Sequence, residues 1–348
     1  MQKRNTDTSS EIKTAPHEIS FGGQKSTKVR DERIDSVKFW LIVLVIAAHV
    51  IMRKVFTGST ACAALWNWIC LFAMPLFIFI SGYFSRKKDK ESFWPSIWKI
   101  LEPLIIFHIL TRVIPHIRLY GFYGIELRAI LTPGWAMWYL FSLIYWRLML
   151  QSIPDKILNN AKQIIIFTFC VSILAGFLPF GKVLSIQRTL AYMPFFFLGY
   201  YMRGKNLYLP NKYKPCCVVF LIAMFAIPLF FPHFLSLLNS TPYENYNGAL
   251  KRMFVFCLAI PMSIAYINVC YNTPWIARQG KMSMQYYIYH VLIIPPFFAI
   301  VDKQNIPMSF ATAAIITIGI IIGIAILLKI PYVKMLTNPS SLIKNTLK

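Results

Sequence analysis

Negative charge is scarce in this chain. Only 13 of its 348 residues are Asp or Glu, and charged residues of both signs make up 14%. Soluble domains carry about 25% charged and about 45 to 50% apolar residues, whereas here the apolar share is 57% and the mean hydropathy is +0.55. That balance excludes disorder and argues against a soluble enzyme. The seven cysteines (Cys62, Cys70, Cys170, Cys216, Cys217, Cys257, Cys270) form no C-x-x-C pair and have no His at ligand spacing. No metal site is expected, and they read as small residues packing inside apolar runs. Residues 1–35 carry charges of both signs but no apolar stretch ending in a small-residue cleavage site, so they read as a cytoplasmic tail rather than a secretory signal. No internal repeat or low-complexity block is evident.

What the chain has is long uncharged apolar runs. Crossing about 30 Å of hydrocarbon takes roughly 20 helical residues. Ten candidate runs occur, at 39–53, inside 55–85, and at 100–118, 134–150, 163–181, 183–202, 216–232, 253–269, 284–301 and 310–328. They lack the alternation of barrel strands, and helices satisfy their own backbone in lipid. The expected fold is therefore an all-α polytopic membrane protein with about ten transmembrane helices. The bundle covers 36–330, between the polar tail 1–35 and a basic C-terminal tail 331–348.

The net charge of +23 fits this reading. With both termini in the cytoplasm, the inner segments hold Arg86, Lys87, Lys88 and Lys90, then Lys156 and Lys162, then Arg203, Lys205, Lys212 and Lys214, then Arg278 and Lys281, then Lys329, Lys334, Lys344 and Lys348. The outer loops hold chiefly Arg53, Lys54, Arg118, Arg128, Lys182, Arg188 and Lys303. The excess reads as positive cytoplasmic loops facing membrane lipids, and not as nucleic-acid binding.

Ionisable groups at membrane depth are costly and point to function. His49 is the sole ionisable side chain in its apolar run, eleven residues after Lys38. Eleven residues are close to three helical turns, so both side chains share a face with about 16 Å between them along the axis. Asp35, three residues before Lys38, lies on the same face. The stripe would form the wall of a polar shaft, although interfacial anchoring would also account for Asp35 and Lys38. His108, Arg112 and His116 form a polar face on the third run, as a cavity lining or an interfacial amphipathic helix would.

These residues carry a resemblance. Arg33-Ile34-Asp35-Ser36-Val37-Lys38 leading to Ala48-His49 resembles the opening helix of the membrane acyltransferase 3 family, marked by a basic residue, ten intervening residues and His. Phe72 to Phe84, with Ser81-Gly82-Tyr83 before Arg86-Lys87-Lys88, is similar to the family's second helix. Lys99-Ile100-Leu101-Glu102-Pro103 resembles the start of its third. Trp138-Tyr139-Leu140 with Trp146-Arg147, and Arg188 to Tyr200 containing Pro194-Phe195-Phe196-Phe197-Leu198-Gly199-Tyr200, look like the branch containing fucose 4-O-acetylases. Gly280 to His290, with Ser283, resembles the family's block near the C-terminus. The sequence departs from the family's larger O-antigen branch in lacking Trp-Ser-Leu-x-x-Glu after Trp138, and in having Lys38 rather than Arg.

The resemblance implies transfer of an acyl group, usually acetyl from cytoplasmic acetyl-CoA, to a hydroxyl of a surface polysaccharide or its glycan or glycolipid precursor. It also implies a multi-pass protein of the bacterial inner membrane. No tightly bound cofactor is expected, acetyl-CoA being a co-substrate. His49 suits a general base or an acyl carrier. Lys38 would bind CoA phosphate or offset developing charge, with Asp35 fixing it as its i, i+3 partner or serving as a helix cap. Arg86 and Lys99 are candidates for donor binding, though Arg86 also fits simple charge topology. Trp138 and Arg188 are candidates for the acceptor sugar, and Ser283 and His290 would line the shaft. A secondary transporter or lipid-linked sugar flippase is the alternative, but neither repeated halves nor broken helices are visible. A polysaccharide polymerase would bring a large Arg-rich loop, and the loops here are short.

Overall fold

A computed structural model of the chain describes residues 31–56, 59–121, 126–179, 181–231, 242–243, 246–303 and 309–337. In chain order the helices are α1 (Glu32–Phe56), α2 (Thr60–Tyr83), α3 (Lys90–His108), α4 (Ile114–Tyr120), α5 (Leu127–Leu131), α6 (Trp138–Ser152), α7 (Asp155–Leu158) and α8 (Ala161–Leu174). They continue as α9 (Ile186–Tyr201), α10 (Lys214–Ala223), α11 (Ala226–Phe230), α12 (Asn247–Val269), α13 (Pro274–Lys281), α14 (Ser283–Lys303), α15 (Phe310–Leu327) and α16 (Pro331–Leu336). No strand occurs among the described residues.

Each of the ten apolar runs is mostly helical over its described residues. Five stretches among the described residues are long and apolar enough to cross a membrane: Glu32–Met52, Thr60–Tyr83, Asn211–Phe230, Asn247–Val269 and Phe310–Leu327. Others are shorter or interrupted. The run 100–118 is divided between α3, a π turn over Ile109–Val113 and α4, where Pro115 has no N–H to offer the carbonyl one turn back. The run 183–202 does not begin as α-helix. Leu184 (φ 48°) and Ser185 (φ 59°) are left-handed, and α9 starts only after them. At the ends, α1 already includes residues 32–35 of the expected tail and α16 covers 331–336, while 1–30 and 338–348 lie outside the described residues.

The lipid-facing surface is written in α15. Ala313, Thr317, Ile320 and Ile324 recur at helical spacing and are buried against the bundle, whereas Ile315 (70% exposed), Ile318 and Ile322 face outward. An exposed isoleucine stripe on a helix with no charged residue suits hydrocarbon and not water.

Two close contacts fix the centre. Gly82 of α2 and Gly199 of α9 approach reciprocally: a Cβ on Gly82 would collide with the Phe196 carbonyl oxygen, and one on Gly199 with the Phe79 carbonyl oxygen. Small residues at such crossings let helix backbones pack in the absence of a hydrophobic drive between helices. Gly280 of α13 likewise abuts the Asp35 backbone of α1. The start of α13 is set by Thr273, whose hydroxyl accepts from Ile276 N at 3.3 Å, followed by Pro274 in the first turn. Fully buried Trp146 of α6 donates its indole N–H to Thr189 O of α9 at 2.9 Å, and Thr189 meets Ser142 at 2.8 Å. These bonds join α6 to the α2–α9 pair.

Candidate active site

His49 opens onto a cavity of about 460 Å³. Its walls come from the second half of α1 (Ala48, His49, Met52), the first half of α2 (Trp66, Cys70, Met74), Arg112 on the π turn, the 132–138 segment ending in Trp138, and the left-handed turn and first turns of α9 (Lys182, Ser185, Arg188, Tyr192). Val255 and Tyr287 close it from α12 and α14. Tyr287 donates its hydroxyl to the Ala136 carbonyl, which ties α14 to the turn that presents Trp138.

Trp138 and Arg188 meet in this cavity. The Arg188 guanidinium carbon lies 5.2 Å from the Trp138 ring centroid, and Trp138 stacks on Tyr192 at 5.2 Å. Trp138 is buried inside the bundle, so it is not an aromatic-belt residue.

Lys38 and Asp35 form the expected pair, Nζ to Oδ1 at 2.6 Å, with Asp35 buried. Lys38 lies about 16 Å and Asp35 about 21 Å from His49 along α1, beside the far end of α2, where Lys38 Nζ is 5.8 Å from the Phe84 ring centroid. Near that end a second, smaller recess of about 50 Å³ is lined by Ser85, Arg86, Lys88, Ser96 and Arg147. Lys88 is held below the usual lysine value by partial burial first, and then by the like charges of Arg147, Arg86 and Lys99. Lys87 is turned away, paired with Asp155 at 2.6 Å. Four cations thus converge here, and Arg147 binds no carboxylate among the described residues but donates to Ser96 O at 3.4 Å.

His290 does not line the cavity. It is fully buried behind His49, with ring centroids 5.3 Å apart. Its Nδ1 faces the Tyr286 carbonyl at 3.2 Å, so Nδ1 carries the proton and Nε2, which has no hydrogen-bond partner, keeps its lone pair. Ser283, the first residue of α14, reaches neither recess. Of the polar face on the third run only Arg112 lines the cavity. His108 bonds the Ile130 carbonyl at 2.8 Å through Nε2, and His116 packs on Tyr120.

Arg147, Lys182, Ser185 and Tyr287 were not singled out as candidate site residues by sequence reasoning, whereas Lys88 was considered with Arg86 and Lys87 for CoA phosphates and set against simple charge topology. Arg147 carried a signal, a lone cation within an apolar run; Ser185 carried none, because its left-handed turn contains no glycine.

A helical protein with several bilayer-length apolar helices is a multi-pass membrane protein, and here an internal cavity reaches a histidine within one of those helices. The family model described as an acyltransferase domain matches residues 31–329, and the chain belongs to the acyltransferase 3 family. It is a membrane acyltransferase. No curated protein and no solved structure matches the chain.

Proposed function

We propose that the protein transfers acetyl from acetyl-CoA to a hydroxyl of a surface polysaccharide or its lipid-linked precursor, in the bacterial inner membrane, within the branch of the family that includes fucose 4-O-acetylases. The observation that carries this reading is the position of His49 on an internal cavity, with a separate recess lined by cations lying toward the other end of α1. Arg86, Lys88, Lys99 and Arg147 suit the phosphates of CoA, and Lys38 stands where the donor would turn inward. An extended pantetheine arm matches the length of α1 from Lys38 to His49. The topology that goes with this is a bundle of about ten crossings with both termini cytoplasmic, so that donor and acceptor enter from opposite faces.

In the chemical step His49 acts as general base. Its imidazole takes the acceptor O–H proton as the oxygen attacks the thioester carbonyl; the O–C bond forms, the C–S bond breaks, and the departing thiolate receives the proton to leave as CoA–SH. His290, packed behind His49 with its ring tilted against it, is a positioning residue. Trp138 offers a sugar a stacking face and Arg188 offers hydrogen-bond donors.

The test is transfer of radiolabel from acetyl-CoA to total glycan in membranes containing the wild-type chain or His49→Ala at equal expression. Label that appears with wild type and is lost with the variant is expected. Absence of label from both, with glycan accessible, overturns the reading and brings forward a transporter or flippase.

A further inference from the structure

The cavity around His49 is unbalanced in charge. Two cations, Lys182 and Arg188, stand in its wall beside Arg112, and no carboxylate among the described residues lines it. Neither Lys182 nor Arg188 enters an ion pair among the described residues. Gathering like charges on the wall of a partly buried cavity is costly unless an anion offsets them. The donor phosphates do not serve, because their cluster lies at the other end of α1, near Lys38.

The backbone is shaped for the same purpose. Lys182 and Arg188 are joined by a turn with two consecutive left-handed non-glycine residues, Leu184 and Ser185, a conformation costing about 1–3 kcal/mol per residue that persists only where the surroundings impose it. Ser185 is among the residues lining the cavity. Its side chain is 1% exposed, its Oγ is buried, and that oxygen has no hydrogen-bond partner. A buried hydroxyl without a partner at a polar wall implies a ligand atom that completes it. Trp66 and Trp138 add flat apolar faces beside the cations.

Resting on the acyl-transfer reading above, we infer that the acceptor is an anionic glycan, its negative oxygens held by Arg112, Lys182, Arg188 and Ser185 while its sugar ring lies on Trp138 with the reacting hydroxyl toward His49. The anion is either the phosphate of a lipid-linked sugar or the carboxylate of an acidic sugar. An oxyanion next to a sugar is the chemistry common to both, and Arg188 recognises either through paired N–H donors.

The experiment uses the full chain in membranes supplied with radiolabelled acetyl-CoA. Labelled glycan is fractionated by anion exchange before and after mild acid, which cleaves sugar phosphates, and before and after carbodiimide coupling, which neutralises carboxylates. His49-dependent label on anionic material is expected, and the treatment that removes its charge identifies the source. Arg188→Gln and Lys182→Gln are each expected to lower incorporation about tenfold at limiting acceptor, the effect of a lost charge-assisted hydrogen bond. The apparent KM for acetyl-CoA should not change. Arg188→Lys, which keeps the charge, should retain more transfer than Arg188→Gln, which separates lost recognition from misfolding. Label on neutral glycan, with both glutamine variants at the wild-type rate, overturns this inference and leaves acyl transfer standing. No His49-dependent label at all removes both.

Discussion

His49 and His290, from helices far apart in sequence, bring their imidazole rings to 5.3 Å between centroids at an angle of 34°. One ring reaches the cavity and the other is sealed behind it, with its proton committed to the Tyr286 carbonyl. The front histidine can exchange a proton with a ligand, and the rear one limits where that ring can turn.

Removing the front ring removes the base. His49→Ala is expected to reduce kcat by at least about a hundredfold. His290→Phe preserves the ring packing but not the nitrogens, and is expected to lower kcat less and to shift the pH profile of kcat with little change in the KM for acetyl-CoA. Steady-state transfer assays over a pH series check both. An unchanged pH profile for His290→Phe would show that His290 serves packing only.

At the other end of α1, Arg147→Gln is expected to raise the KM for acetyl-CoA about tenfold or more, the loss of a charge-assisted contact to phosphate. The pH dependence follows from Lys88. Its value is lowered in the folded protein, and the protonated form binds anions, so donor affinity is full below that lowered value and falls as pH rises through it, earlier than an ordinary lysine would allow. Titration of CoA binding between neutral and alkaline pH, with Lys88→Arg for comparison, measures this. Equal alkaline limbs for the two proteins would remove Lys88 from the site.

The Asp35–Lys38 pair can be tested by a double-mutant cycle. Asp35→Asn removes the buried carboxylate that pairs with half-buried Lys38 and is expected to cost about 2 kcal/mol, whereas Asp35→Asn with Lys38→Met should recover part of that. Thermal unfolding of detergent-solubilised protein, followed by size-exclusion chromatography, gives the ordering. Additive losses would mean that the two residues act separately.

Gly199→Ala is expected to destabilise by about 1–3 kcal/mol, since its new methyl meets the Phe79 carbonyl and backbone cannot step aside as a side chain would. Gly323→Ala in α15, with open space around its Cβ position, is the matched control and should be near neutral or slightly stabilising.

Much of this was readable because helices are periodic. The spacing of Asp35, Lys38 and His49 needed only 3.6 residues per turn, and the ten apolar runs needed only the thickness of a bilayer. What periodicity could not supply was interruption. Residues 183–202 read as one span, yet the chain turns left-handed at Leu184 and Ser185 without a glycine to announce it. Residues 100–118 bend through a π turn before α4. Those two irregular places are where Lys182, Ser185 and Arg112 reach the cavity. His290 was legible as a histidine in a membrane segment, but its position behind His49 depends on how α14 packs on α1, which one sequence does not encode locally. Ser283 shared a helix face with His290, and two turns along α14 were enough to carry it out of reach.

The glycine contact between α2 and α9 has a mechanical consequence. Cys70 and Met74 ride on one of these helices and Arg188 and Tyr192 on the other, so half of the reaction chamber is built on a pair with no slack for sliding. Arg112 reaches the cavity from a π turn and not from a regular helix. A methyl added at Gly82 or Gly199 would therefore reshape that half of the cavity from a distance.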